Sequence, residues 1–118
     1  MAAKDTLGRL GEELATRFLL DAGLDILDRN WRCRHGEIDI VARDDGELVF
    51  VEVKTRSSLA FGHPLEAITP RKLARLRRLA AEWCRENRPR ADVVRIDAIA
   101  VIAPRGLSPV IEHLRRVF

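Results

Sequence analysis

Little in this chain suits an extracellular or membrane setting. It carries two cysteines, Cys33 and Cys84, in 118 residues, too few for a disulfide framework or, by themselves, for a four-ligand zinc site. Cys33 and His35 stand two apart with no second ligand pair near them, so Cys33 reads as a buried structural thiol. The longest uninterrupted apolar run, Ala98 to Ala103, is six residues, far short of the roughly 20 that a membrane helix needs. The first dozen positions mix charges of both signs rather than forming a signal-peptide core, so a cytoplasmic chain without a membrane partner is expected. Aromatic residues make up only 5%, which places Trp31 and Trp83 in the core rather than against nucleic-acid bases. No nucleophile triad or phosphate-cradling glycine loop is visible; Gly8 and Gly11 fall inside a helical pattern.

What is present fits one globular domain, with 47% apolar and 33% charged residues, able to bury roughly two-thirds of the surface of its unfolded chain. The cations are 18 arginines and only 3 lysines, and the net charge of +3 conceals a segregation. Residues 1–59 hold 9 basic and 12 acidic side chains, and residues 60–118 hold 12 and 6. A basic half suits a polyanionic partner, and an acidic half suits carboxylates gathered around a cation.

Gly and Pro punctuation divides the chain into α-β-β-β-α-β-β, with no internal repeat. Leu7, Leu10, Leu14 and Phe18 recur on one helical face between Thr6 and Ala22, with Asp5 or Thr6 as N-cap and Gly23 at the end. Strands are expected near Asp25–Cys33, Glu37–Arg43, Glu47–Lys54, Ile96–Ile102 and Val110–Arg116. Thr69 and Pro70 start a second helix to about Asn87, burying Leu73, Leu76, Ala80 and Trp83. Residues 55–68 read as one long connection, a length that suggests a binding loop or lid. Within it, His63 reads as a loop residue rather than a base, and Arg95 and Asp97, two apart on one strand face, read as a structural ion pair.

The hairpin carries the central inference. A two-residue type I′ turn at Asp45-Gly46 makes opposed residues sum to 91, so Asp39 lies opposite Glu52. Like charges directly opposed destabilise a sheet unless something unites them, and a divalent cation with oxygen ligands would. The same register puts Ala42/Val49, Ile40/Val51 and Ile38/Val53 on a core face, with Val41/Phe50, Asp39/Glu52 and Glu37/Lys54 on the other. Lys54 therefore stands beside the carboxylate pair. Two carboxylates, Mg²⁺ and an ammonium that orients water or offsets charge together suit phosphodiester hydrolysis.

Gly36-Glu37-Ile38-Asp39 followed by Val51-Glu52-Val53-Lys54 resembles the D…(D/E)-X-K signature of restriction-endonuclease-like PD-(D/E)XK nucleases. With Gly8-x-x-Gly11-Glu12, Asn30-Trp31-Arg32, Thr55-Arg56 and Phe61-Gly62, nearly the whole chain resembles the small bacterial YraN-like group of uncharacterised proteins proposed as endonucleases. The resemblance implies a three-layer α/β core, α-β-β-β-α-β, with a mixed central sheet, as in archaeal Holliday-junction resolvases. It implies Asp39, Glu52 and the Val53 carbonyl as ligands of Mg²⁺ or Mn²⁺, Lys54 as the catalytic lysine and Glu12 as a further acid. The proline that usually precedes the aspartate is replaced by Ile38. Gly8, Gly11 and Ala15 form a small-residue stripe that would let the first helix approach the sheet, with Glu12 at its border. On the second helix Arg71, Arg75 and Arg78 form a stripe suited to tracking phosphates, with Lys72 beside them, and Arg56 could clamp a phosphate. The expected function is a metal-dependent endonuclease acting on nucleic acid, DNA favoured over RNA, with a homodimer compatible. The alternative is a nucleic-acid-binding or protein-interaction module of the same fold that does not cleave.

Overall fold

The computed structural model describes residues 3–60, 62–91 and 93–117. Phe61, part of the resemblance, lies outside them. Helix α1 spans Ala3–Asp21, followed by β1 (Asp25–Cys33), β2 (Gly36–Asp44), β3 (Glu47–Arg56), a 3₁₀ turn at Pro64–Ala67, α2 (Pro70–Asn87), β4 (Val93–Ile102) and β5 (Val110–Leu114). The expected order of elements is present, but α1 starts earlier, so Asp5 and Thr6 lie within its first turns rather than capping it. Its end is as expected. Gly23, at φ +91°, lets Leu24 N–H reach the Leu19 carbonyl and its own N–H reach Leu20, satisfying two orphan acceptors.

The five strands form one mixed sheet in the order β1-β2-β3-β4-β5, antiparallel except for the parallel β3–β4 pair. That pair requires a crossover, which α2 supplies. Both faces of the sheet are covered. Ala15 and Leu19 of α1 pack on Ile40, Ala42, Val49, Val51, Val53, Ile99 and Val101. Leu76, Leu79, Ala80 and Trp83 of α2 pack on the other face against Ile38, Val41, Leu48, Phe50 and Ile96. The protein is thus a three-layer α/β domain, and strands buried on both sides explain why β3 and β4 read as nearly continuous apolar runs. Trp83 is buried edge-on against Phe50, its indole N–H donating to Asp28 at 2.9 Å. Trp31 packs at the border of the same cluster.

Gly11 sets the distance between α1 and the sheet. A Cβ at this position would fall 1.8 Å from the Thr55 hydroxyl, so α1 approaches β3 more closely than any side chain permits. Gly8 has no such contact, and the expected stripe reduces to Gly11 and the fully buried Ala15. Gly11→Ala gains about 1 kcal/mol of helix propensity but overpacks the contact. We expect a net loss of about 1–3 kcal/mol, read as a lower midpoint in urea denaturation.

Several other expectations shift. The hairpin turn has its expected length, but only Asp45 takes the left-handed conformation (φ 57°) and Gly46 does not, so the turn is not type I′. The long connection is shorter than expected, because β3 runs on to Arg56 and Pro64–Ala67 forms a 3₁₀ turn. His63 caps that turn, accepting from Leu65 N–H, and its Nε2 lies 3.1 Å from Glu112. Cys33 is half-buried beside the α2-side core, its thiol donating to Glu82 at 3.0 Å. The last strand ends at Leu114 rather than Arg116.

Candidate functional site

The β2–β3 register follows the sum of 91 from Asp44/Glu47 to Ile40/Val51, and there the described ladder ends. β2 continues along β1 to Cys33/Gly36, while β3 continues along β4 to Arg56/Ile102. The sheet forks at Asp39 and Glu52. The Val53 N–H is taken by the Asp39 carboxylate, at 2.8 Å, instead of by a β2 carbonyl. Released from β3, β2 also changes its facing: Ile38 joins the α2-side core and does not share a face with Ile40 and Ala42. The expected Ile38/Val53 and Glu37/Lys54 pairs are therefore not formed. Glu37 instead pairs with Arg32 at 3.1 Å, and Lys54 Nζ lies 3.5 Å from Glu52 on its own strand.

The fork places the carboxylates between two openings. On the α2 side a cleft of about 190 Å³ is lined by Asp39, Glu52 and Lys54 together with Lys72, Arg75 and Gly36. On the α1 side a broad groove of about 2310 Å³ is lined by the same three residues, Glu12 and a set of arginines. Because a residue's N–H and C=O point to the same edge of a strand, the Val53 carbonyl faces the fork along with its N–H.

Electrostatics at the fork are unfavourable to bare carboxylates. Burial, then the Glu52 charge, pushes the Asp39 carboxyl up to about 7 despite the Val53 N–H bond. Burial also raises Glu52, against the pull of Lys54, Lys72 and Arg75. Glu12 is raised by burial and by Glu37, and its Oε1 is buried without a hydrogen-bond partner. A cation would relieve all three. Among the described residues no group of three or more His, Cys, Asp or Glu side chains is arranged to hold a metal by itself. Mg²⁺, however, commonly takes one or two protein carboxylates and fills its shell with water and phosphate oxygens, and Asp39 and Glu52 match that donor set in kind.

The fork brings together Asp39, Glu52, Val53, Lys54, Lys72 and Arg75, and Glu12 faces it from α1 across the groove. Arg56 lines the groove, with one Nη donating to the Thr55 carbonyl at 3.0 Å. Arg71 and Arg78 are exposed on α2 and line neither opening, so the expected three-arginine stripe contributes only Arg75 to the site. Three groove arginines were given no binding role from the sequence: Arg9, Arg32, which entered only as part of Asn30-Trp31-Arg32, and Arg105. Arg9 lies one helical turn before Glu12, a spacing that would have found it, whereas Arg105 follows β4 in a loop and has no local signal.

A three-layer α/β domain whose central sheet forks around two carboxylates and a lysine defines a small protein with an acid–lysine centre. The chain belongs to the uncharacterised protein family UPF0102, whose sequence pattern matches residues 11–101. Its relatives include UPF0102 proteins of Beutenbergia cavernae, 59% identical over 99% of each chain, and of Streptomyces griseus, 55% identical over 99% of each chain. A third, from Arthrobacter sp. strain FB24, is 56% identical over 99% of each. No described helix is long and apolar enough to cross a membrane.

Proposed function

We propose that this protein is a metal-dependent, restriction-endonuclease-like nuclease of the YraN-like group, acting on DNA in the cytoplasm. The observation that carries the reading is the pair of largely buried carboxylates, Asp39 and Glu52, held in electrostatic conflict at the fork with Lys54 beside Glu52. Asp39, Glu52 and the Val53 carbonyl would hold Mg²⁺ or Mn²⁺. When bound, the ion would act as a Lewis acid at the reacting phosphate and make water there easier to deprotonate.

The chain's own groups supply positioning. Glu52 fixes the Lys54 ammonium so that it can orient the attacking water and offset charge on the phosphate oxygens. The water oxygen forms the new bond to phosphorus, the P–O bond to the leaving strand breaks, and that oxygen leaves with a proton from solvent. Glu12, with its partnerless Oε1 buried, can accept the proton that the water loses. The α1-side groove, lined by Arg9, Arg32, Arg56 and Arg105, offers phosphate contacts to the strand on either side.

The test is incubation of purified protein with branched, flapped and single-stranded DNA, and with RNA, in Mg²⁺ or Mn²⁺. Cleavage of DNA is expected, and Lys54→Met is expected to lower it by roughly 10²-fold or more. Cleavage unchanged in Lys54→Met would overturn the assignment. Binding without cleavage by the wild type in either metal would identify a binding module.

A further inference from the structure

The α2-side cleft has a character of its own. Gly36, at φ +144°, would place a Cβ 3.3 Å from Leu79, so α2 lies close against the start of β2 and closes one wall. Leu76 adds an apolar surface. The remaining volume, about 190 Å³, equals roughly six waters at liquid density and is below the ~300 Å³ at which sites for drug-sized ligands begin. It can hold a compact group and its water, but not a nucleoside on each side of that group.

Its lining carries three carboxylates, Glu37, Asp39 and Glu52, and three cations, Lys54, Lys72 and Arg75. Of the carboxylates, Glu37 is held by Arg32, Asp39 takes the Val53 N–H, and Glu52 faces Lys54. That leaves Lys72 and Arg75, neither of which has a carboxylate within ion-pairing distance among the described residues. Lys72 and Lys54 line the same cleft, and the neighbouring Lys54 ammonium, followed by burial, holds Lys72 below the usual lysine range. Ammonium groups are donors only. Two of them lining one cleft, with a guanidinium on the next turn of α2, form a donor cluster in which Lys54 alone has a carboxylate close by among the described residues, Glu52 at 3.5 Å.

We infer that this cleft holds a phosphate subsite adjoining the carboxylate pair, in which Lys72 and Arg75, with Lys54 at its border, hold a terminal phosphate of the strand. A terminal phosphate offers three free oxygens to three cationic side chains and needs room for only one nucleoside connection, which leads out of the cleft. The anion site rests on the cleft itself, whereas its placement on a strand end rests on the nuclease reading above. Lys72 and Arg75 then act by positioning a substrate end, not on the reacting bond.

Metal-free protein titrated with inorganic phosphate should show NMR shifts concentrated at Gly36, Lys72, Arg75 and Leu76. Lys72→Gln combined with Arg75→Gln should weaken binding at least tenfold, and Arg75→Lys should largely retain it. In a second arm with Ca²⁺, single strands ending in a 5′-phosphate, a 3′-phosphate or hydroxyls are compared. One phosphorylated end should bind at least tenfold tighter than the hydroxyl end, and the double variant should lose that preference. No phosphate shifts in the wild type, or undiminished phosphate binding in the double variant, would overturn the subsite. Equal binding of all three strands would overturn its assignment to a strand end. Phosphate binding at Lys72 and Arg75 in a protein that cuts nothing would remove the nuclease reading and leave the anion site standing. Cutting indifferent to Lys72, Arg75 and end phosphorylation would do the reverse.

Discussion

Asp39→Asn is expected to abolish metal-dependent cleavage while making the metal-free protein more stable at pH 8. The loss follows from removing a charged ligand. A metal's electrostatic contribution is worth several kcal/mol, and at 1.36 kcal/mol per decade this is a fall of roughly 10³-fold or more. The gain in stability follows from the fork. Asp39 titrates at about 7 in the folded chain, against its ordinary 3.8, so between those values the folded state keeps a proton that the unfolded state has released. Its contribution is fully present below about pH 4 and is lost as pH rises through about 7. A shift of this size corresponds to as much as about 4 kcal/mol. Asparagine keeps an oxygen for the Val53 N–H and carries no charge, so urea denaturation should show the variant with less decline between pH 5 and pH 8. Glu52 and Glu12 are raised for the same reason and retain part of that decline in the variant. Mg²⁺ or Mn²⁺ at pH 8 should stabilise the wild type by mass action and the variant much less. A variant that cleaves normally, or that is less stable than the wild type at pH 8, would remove Asp39 from the proposed centre.

The local chemistry of that centre was legible because a hairpin with a short turn is a one-dimensional object. Asp44 and Glu47 bracket the turn, and the register from there to Ile40/Val51 follows by counting, even though the turn at Asp45-Gly46 is of another type. Counting fails beyond Val51, because β3 leaves β2 to stay with β4, and the parallel β3–β4 register is set by contacts some forty-five residues apart in sequence. Asp39 and Glu52, expected as a directly opposed pair, instead lie just past the last paired residues and line one cleft, and the fork that makes Asp39 accept from Val53 was not anticipated. Helix faces behaved in the same way. Leu76, Ala80 and Trp83 were readable from periodicity, and so were Thr69 and Pro70 at the start of α2. Which exposed arginines of α2 turn toward the carboxylates depends on the angle at which α2 crosses the sheet, and that angle selects Arg75 over Arg71 and Arg78.

Arg95→Met is expected to lower stability by about 3–5 kcal/mol, a large fraction of the 5–15 kcal/mol typical of a domain. Arg95 is 3% exposed and donates to Asp97 at 3.1 Å, Asp44 at 2.9 Å and Glu47 at 3.3 Å. It thereby joins both strands of the β2–β3 hairpin, at the turn, to β4. Asp97 is completely buried, and burial alone would raise its carboxyl. The His113 ring at 2.7 Å, the Arg116 N–H at 3.1 Å and Arg95 outweigh burial and hold it below the ordinary 3.8. Its stabilising contribution is therefore present above about pH 4 and disappears as pH falls through its folded value. Methionine in place of Arg95 fills similar space but leaves Asp97 without its guanidinium partner, so acid unfolding should begin at a higher pH. Removing both charges leaves no bare carboxylate at position 97, and although His113 and the Arg116 N–H lose their acceptor, Arg95→Met with Asp97→Leu should recover part of the loss in urea at pH 7. An additive double variant would show that Arg95 and Asp97 do not act as a pair. The folded fraction of Arg95→Met should still bind inorganic phosphate at Lys72 and Arg75, because those cations stand on α2 and the network lies at the hairpin-turn end of the sheet. Loss of both together in fully folded protein would mean that the network also sets the geometry of the fork.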